Sequence, residues 1–129
     1  MLVIDASALF ETLTEGPLEQ AINERTASDP EHAAPHIIDV EVFGAIRRDL
    51  QRGLLDHTQA THAVTKLAAW PGQRYGQQLL LGRAWELRDT VRGWDAMYVA
   101  LAEILGAVLV TTDRRLANVR GPRCQIETF

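Results

Sequence analysis

Apolar positions along the chain fall into short continuous runs, as a buried strand makes, and longer runs at helical spacing. Leu2-Val3-Ile4 is of the first kind and stops at Asp5-Ala6-Ser7, where a helix is predicted from Ser7. Gly16-Pro17 breaks it, and Leu18 to Ala27 reads as a second, amphipathic helix with Leu18, Ala21 and Ile22 on one face. Ser28 to Ala34 reads as a polar loop. From Asp39 the residues Val40, Val42, Phe43, Ile46 and Leu50 recur at helical spacing until Gly53. Asp56 caps a further helix, Thr58 to Trp70, whose polar, alanine-rich surface suggests a lid or a partner-facing hairpin with the helix before it. Beyond Pro71-Gly72, Tyr75 to Leu81 fits either a short edge strand or the start of a helix ending near Arg92. Asp95 to Leu105 is apolar almost all round and reads as a central helix closed by Gly106. Ala107 to Val110 is a β-branched strand, Leu116-Ala117 a helical turn, and Cys124 to Ile126 the last strand. Alternating strands and helices predict an α/β fold with a central parallel sheet flanked by helices.

The chain has 129 residues, the size of one domain, and the expectation is a single domain over residues 1–129. Its 47% hydrophobic and 23% charged residues exclude disorder as the dominant state. The longest nearly apolar stretch, Ala96 to Val110, carries Glu103 and is short of the ~20 residues that span a bilayer, so no membrane association is expected. Cys124 is the lone cysteine, which excludes an intrachain disulfide and a cysteine-rich zinc site. With no basic leader or long apolar segment at the start, the expected location is the cytoplasm. The net charge of −4 does not attract a polyanion as a whole, so any nucleic-acid binding must be local. All basic residues but Lys66 are arginines, the better fork for phosphate oxygens.

In open parallel sheets, ligands bind beyond the carboxyl ends of the strands. Asp5 and Asp113 follow two predicted strands there, and Glu41 and Asp95 sit in the first turns of helices that start from the same edge. Singly, each acid has a plain structural role: Asp5, Asp95 and Asp113 can cap helices, Glu41 can complement a helix dipole, and Asp39 can cap as well. Jointly they predict four carboxylates facing one crevice, where the charges repel unless a cation neutralises them. Hard oxygen ligands without cysteine or histidine spacing point to Mg²⁺, with Mn²⁺ as a substitute, and such a site suits phosphoryl transfer.

The order Val3-Ile4-Asp5-Ala6-Ser7, Asp39-Val40-Glu41-Val42, Trp94-Asp95-Ala96-Met97-Tyr98-Val99-Ala100-Leu101-Ala102-Glu103 and Thr111-Thr112-Asp113-Arg114-Arg115-Leu116 resembles PIN-domain ribonucleases. Within them it looks most like VapC toxins of bacterial toxin-antitoxin pairs. The resemblance implies a three-layer PIN-like domain and makes Asp5, Glu41, Asp95 and Asp113 the catalytic, metal-binding carboxylates, with Ser7 and Thr112 as supporting hydroxyls. It further implies Mg²⁺-dependent endonucleolytic cleavage of single-stranded or looped RNA, a VapB-like protein antitoxin as partner, and a homodimer.

Arg48 lies seven residues beyond Glu41 on the same helix, and Arg114 and Arg115 adjoin Asp113, which makes these three the candidates for RNA phosphate contacts. Trp94 and Tyr98, four apart, can stack an unpaired base or pack in the core. The four histidines show no metal-ligand spacing. Ser7 lacks the setting of a nucleophilic serine, and no phosphate-binding glycine loop exists. A phosphoaspartyl phosphatase would need a second aspartate where Ser7 stands. The alternative from another class is a non-catalytic PIN-like module that binds RNA or protein.

Overall fold

The computed structural model describes every residue, Met1–Phe129. Its middle layer is a five-stranded parallel sheet built from β1 (Leu2–Ile4), β2 (His32–Pro35), β3 (Gln73–Tyr75), β4 (Val108–Thr111) and β5 (Ile126–Thr128), in the order β3-β2-β1-β4-β5. Six helices flank it: α1 (Ala6–Leu13), α2 (Glu19–Ala27), α3 (Ile37–Gln51), α4 (His57–Ala69), α5 (Leu81–Glu86) and α6 (Gly93–Leu105). Helix α1 packs on α2, α3 and α4, whereas α6 lies on β1, β2 and β4 with α5 against it.

The strands are short and apolar because the sheet is covered: Leu2, Val3, Ile4, Leu109 and Val110 are all at most 3% exposed. Along β1, β2 and β3 the chain steps in one direction across the sheet, then crosses through α5 and α6 to place β4 on the other side of β1. The order therefore reverses between β1 and β4, and the crevice beyond their carboxyl ends is the natural ligand position.

Several boundaries differ from the sequence expectation. The segment expected to be a polar loop, Ser28 to Ala34, ends in β2, whose two alanines are buried between β1 and β3. The last strand is Ile126–Thr128 rather than Cys124 to Ile126, because Leu109 pairs with Ile126. Tyr75 to Leu81, expected to be an edge strand or the start of a helix ending near Arg92, is neither throughout: β3 ends at Tyr75, a 3-10 turn follows at Gln77–Leu79, and α5 starts only at Leu81 and stops at Glu86. Helix α4 is no free lid, since Ala60, Ala63 and Leu67 are buried and it packs on α3 and α1. On α3, Val42 and Ile46 face the core while Val40 and Phe43 are 70% and 51% exposed.

Candidate active site

Asp5 follows β1 directly and is the only charged residue buried, at 7% exposure. Its backbone stands at the N-cap of α1, yet its side chain makes no capping bond. Instead its Oδ2 accepts hydrogen bonds from Ser7 Oγ at 2.7 Å and Thr111 Oγ1 at 2.6 Å. Thr111 Oγ1 accepts in turn from the Asp113 N–H at 3.0 Å, and Ser7 Oγ from the Thr112 N–H at 3.1 Å. Neutral donors thus hold the Asp5 carboxylate without neutralising it. Burial pushes its proton affinity above the ordinary range, and the charge of Asp113 adds to this.

The supporting hydroxyl expected from Thr112 is supplied by Thr111, and Thr112 contributes its backbone N–H. Register is the reason: Ile4 lies beside Val110, so Asp5, one residue on, falls beside Thr111, whereas Thr112 lies past the end of β4 and lines the cleft on the Glu41 side. Thr111 is fully buried although polar, but the chain offers two adjacent threonines and no indication of register.

Glu41 projects from the second turn of α3. Its Oε2 accepts a hydrogen bond from the Tyr98 hydroxyl on α6, and Tyr98 is 1% exposed. Desolvation raises the pKa of Glu41, and the charges of Asp5 and Asp95 add to it. Asp95, in the first turn of α6, is pushed up to about 6 by burial first and by Asp5 and Asp113 second. Arg92 and Arg115 pull it back in part. Asp113 behaves in the opposite way: the Arg115 guanidinium grips it and holds its carboxyl below the usual range. Asp39, the rival cap of α3, is instead paired with Arg74 from β3 through two hydrogen bonds of 2.9 and 3.2 Å.

The four acids expected to share a crevice therefore lie close enough to perturb one another's protonation. The chain as it stands does not, however, gather three of them at coordinating distance from one point. The cause is visible in their partners, since Glu41 is turned to Tyr98 and Asp113 to Arg115. The donor chemistry fits Mg²⁺ or Mn²⁺: every candidate ligand is a hard oxygen, and Asp5 and Asp95 have no cation in a salt bridge.

Two openings flank these acids. A cleft of about 550 Å³ on the Glu41 side is lined by Ser7, Phe10, Gly44, Arg48, Trp94 and Thr112 among others. Nothing lies within 4 Å of where a Cβ on Gly44 would be, so this residue leaves the cleft open. Arg48 stands in this cleft as the spacing predicted, with an exposed side chain. Trp94 and Tyr98 part company: Trp94 is 61% exposed at the cleft, whereas Tyr98 is core and a hydrogen-bond donor. A smaller opening of about 180 Å³ lies on the other side, between Arg92, Asp95, Asp113 and Arg115. Arg114 is exposed and outside both openings. Sequence reasoning missed Thr111, Arg92 and the polar role of Tyr98.

A family profile described as PIN domain matches residues 2–122. This chain belongs to the PIN-domain family. Among its curated relatives, Ribonuclease VapC12 of Mycobacterium tuberculosis is 39% identical over 127 residues, covering 98% of each chain. Ribonuclease VapC3 of the same organism is 41% identical over 118 residues, covering 91% of this chain and 85% of that one. Among solved structures, PAE2754 from Pyrobaculum aerophilum superposes with a TM-score of 0.67 at 25% identity over 97% of this chain and 81% of the other. M. tuberculosis VapC20, a toxin that cleaves the sarcin-ricin loop, gives the same TM-score at 16% identity, covering 92% and 96%. The PIN fold, a parallel sheet flanked by helices, is thus shared. No helix of this PIN domain is long and apolar enough to cross a membrane.

Proposed function

We propose that this PIN domain is a VapC-type endoribonuclease, the toxin of a toxin-antitoxin pair, cutting single-stranded or looped RNA with the help of Mg²⁺ or Mn²⁺. The observation that carries this reading is the carboxylate group itself. Asp5, Glu41 and Asp95 lie between the two openings, close enough for their charges to raise one another's proton affinity, a destabilising arrangement that a divalent cation would relieve. The names of the curated relatives VapC12 and VapC3, both ribonucleases, support the substrate class.

Asp5, Glu41, Asp95 and Asp113 would hold the ion, which when bound lowers the pKa of attacking water and offsets charge on the scissile phosphate. The residues present do the positioning. Ser7 and Thr111 fix the Asp5 carboxylate on one oxygen, Oδ2. Tyr98 fixes Glu41 on Oε2. Arg48 and Trp94 line the adjoining cleft, where a guanidinium suits a phosphate and an exposed indole suits an unstacked base. In this reading the antitoxin is a small VapB-like protein, the toxin acts in the cytoplasm, and two copies pair as a homodimer. Leu81 and Trp85 on α5, 53% and 69% exposed, are apolar surface available to such contacts.

One observation favours the second reading, a binding module without catalysis: Glu41 and Asp113 are each already engaged by a neighbour. The deciding experiment incubates purified protein and its Asp95→Asn variant with structured and unstructured RNA, in EDTA, Mg²⁺ or Mn²⁺. Products that need the ion and vanish in the variant establish the nuclease. RNA retained on the protein without products in any ion establishes the module.

A further inference from the structure

Asp113 differs from the other three acids in being fully engaged. Arg115 Nε donates to Oδ1 at 2.9 Å and Nη2 to Oδ2 at 2.7 Å, while the Arg115 backbone N–H also donates to Oδ1 at 2.9 Å. This bidentate fork occupies both carboxylate oxygens. Its holder is open to solvent: the Arg115 side chain is 69% exposed, belongs to a loop before the 3-10 turn Leu116–Asn118, and makes no other ion pair. An ion pair that exposed is weakly held. A second guanidinium, Arg92, lines the same small opening and has no salt-bridge partner of its own.

We infer that Arg115 is a displaceable counter-ion of the site. It neutralises Asp113 while no divalent cation is bound and yields that carboxylate on loading. The released guanidinium then joins Arg92 at an RNA phosphate next to the one being cut. Ion loading and RNA binding are thereby coupled through one side chain, because Arg115 cannot serve Asp113 and a phosphate at once. The inference rests on the metal-dependent nuclease reading and adds a positioning role that the reading itself does not require.

The test is Mn²⁺ titration of the full chain by calorimetry, for wild type, Arg115→Ala, Arg115→Gln and Asp95→Asn, with thermal melts to confirm folding. Without RNA, both Arg115 variants should bind Mn²⁺ about two- to fivefold more tightly than wild type. With Ca²⁺ in place of Mn²⁺ and a single-stranded RNA oligonucleotide, the same variants should bind RNA more weakly. Their log–log salt slope should fall by about 0.7, the share of one phosphate contact. If wild type takes up Mn²⁺, Asp95→Asn does not, and the Arg115 variants match wild type, the counter-ion role is overturned while the nuclease stands. Tighter Mn²⁺ binding with unchanged RNA affinity overturns the transfer to phosphate. No Mn²⁺ uptake by any form overturns both readings.

Discussion

Asp95 is the residue whose removal should stabilise the molecule. Its carboxylate is penalised by burial and by Asp5 and Asp113, which lifts its pKa from 3.8 to about 6. The fold therefore binds this proton more tightly than the unfolded chain does. Below about pH 4 the group is protonated in both states and carries no penalty; the penalty grows between about 4 and 6 and is complete above 6. Metal-free Asp95→Asn should accordingly melt above wild type at pH 7, by about 3–5 °C for a penalty near 1 kcal/mol once partial exposure is allowed for. The gap should close as the pH is lowered to about 4, as paired melts across that range would show. Thr111→Val runs the other way. It removes a buried donor from Asp5 and an acceptor from the Asp113 N–H, and urea titration should show a loss of about 1–3 kcal/mol. The four acids were legible because charge in or beside apolar runs is conspicuous. Thr111 was not, because the choice between two neighbouring threonines is made by the β1–β4 register, and Tyr98 was not, because an aromatic on a buried helix face reads as packing until its hydroxyl finds Glu41.

Helices announced themselves where their ends carry specific chemistry. The Asp56 side chain accepts from the Gln59 N–H at 2.7 Å, and the Gln59 side chain accepts from the Asp56 N–H at 2.9 Å, closing a capping box at the start of α4. Asp56→Ala should cost about 1 kcal/mol, with hydrogen exchange quickening in the first turn of α4 and not at the acidic crevice. Gly106, at φ 60°, ends α6 as its position suggested. Strand β2 escaped notice for the opposite reason: His32-Ala33-Ala34-Pro35 has no β-branched residue, and its extended form comes from strands on both sides. The edge beyond it is tied by Arg74, whose guanidinium binds Asp39 and the carbonyls of Leu67, Trp70 and Gly72 and lies 4.7 Å from the Trp70 ring. Arg74→Ala should loosen residues 70–75 first, read as faster proteolysis of that segment with the rest of the domain still folded.

For the molecule as a whole, the net charge of −4 and the crowding of acids at one edge predict stabilisation by a divalent cation. An ion bound only by the folded state raises stability by about 2.7 kcal/mol at a hundredfold excess over Kd. Mn²⁺ should raise the melting temperature of wild type and leave Asp95→Asn unmoved; equal shifts in both would mean binding elsewhere. The parallel α/β class was readable from the alternation of runs, but the strand order was not, because it depends on which side of β1 the later strands choose. That choice divides the site between distant parts of the chain. Asp5, Ser7 and Glu41 come from the first third, and Thr111 and Asp113 from beyond the long crossover. A ribosome making this protein thus exposes Asp5, Ser7 and Glu41 long before the strand that completes their surroundings has been synthesised. Until residue 113 clears the exit tunnel, Asp5 is without its Thr111 donor and the acidic edge is without its fourth carboxylate.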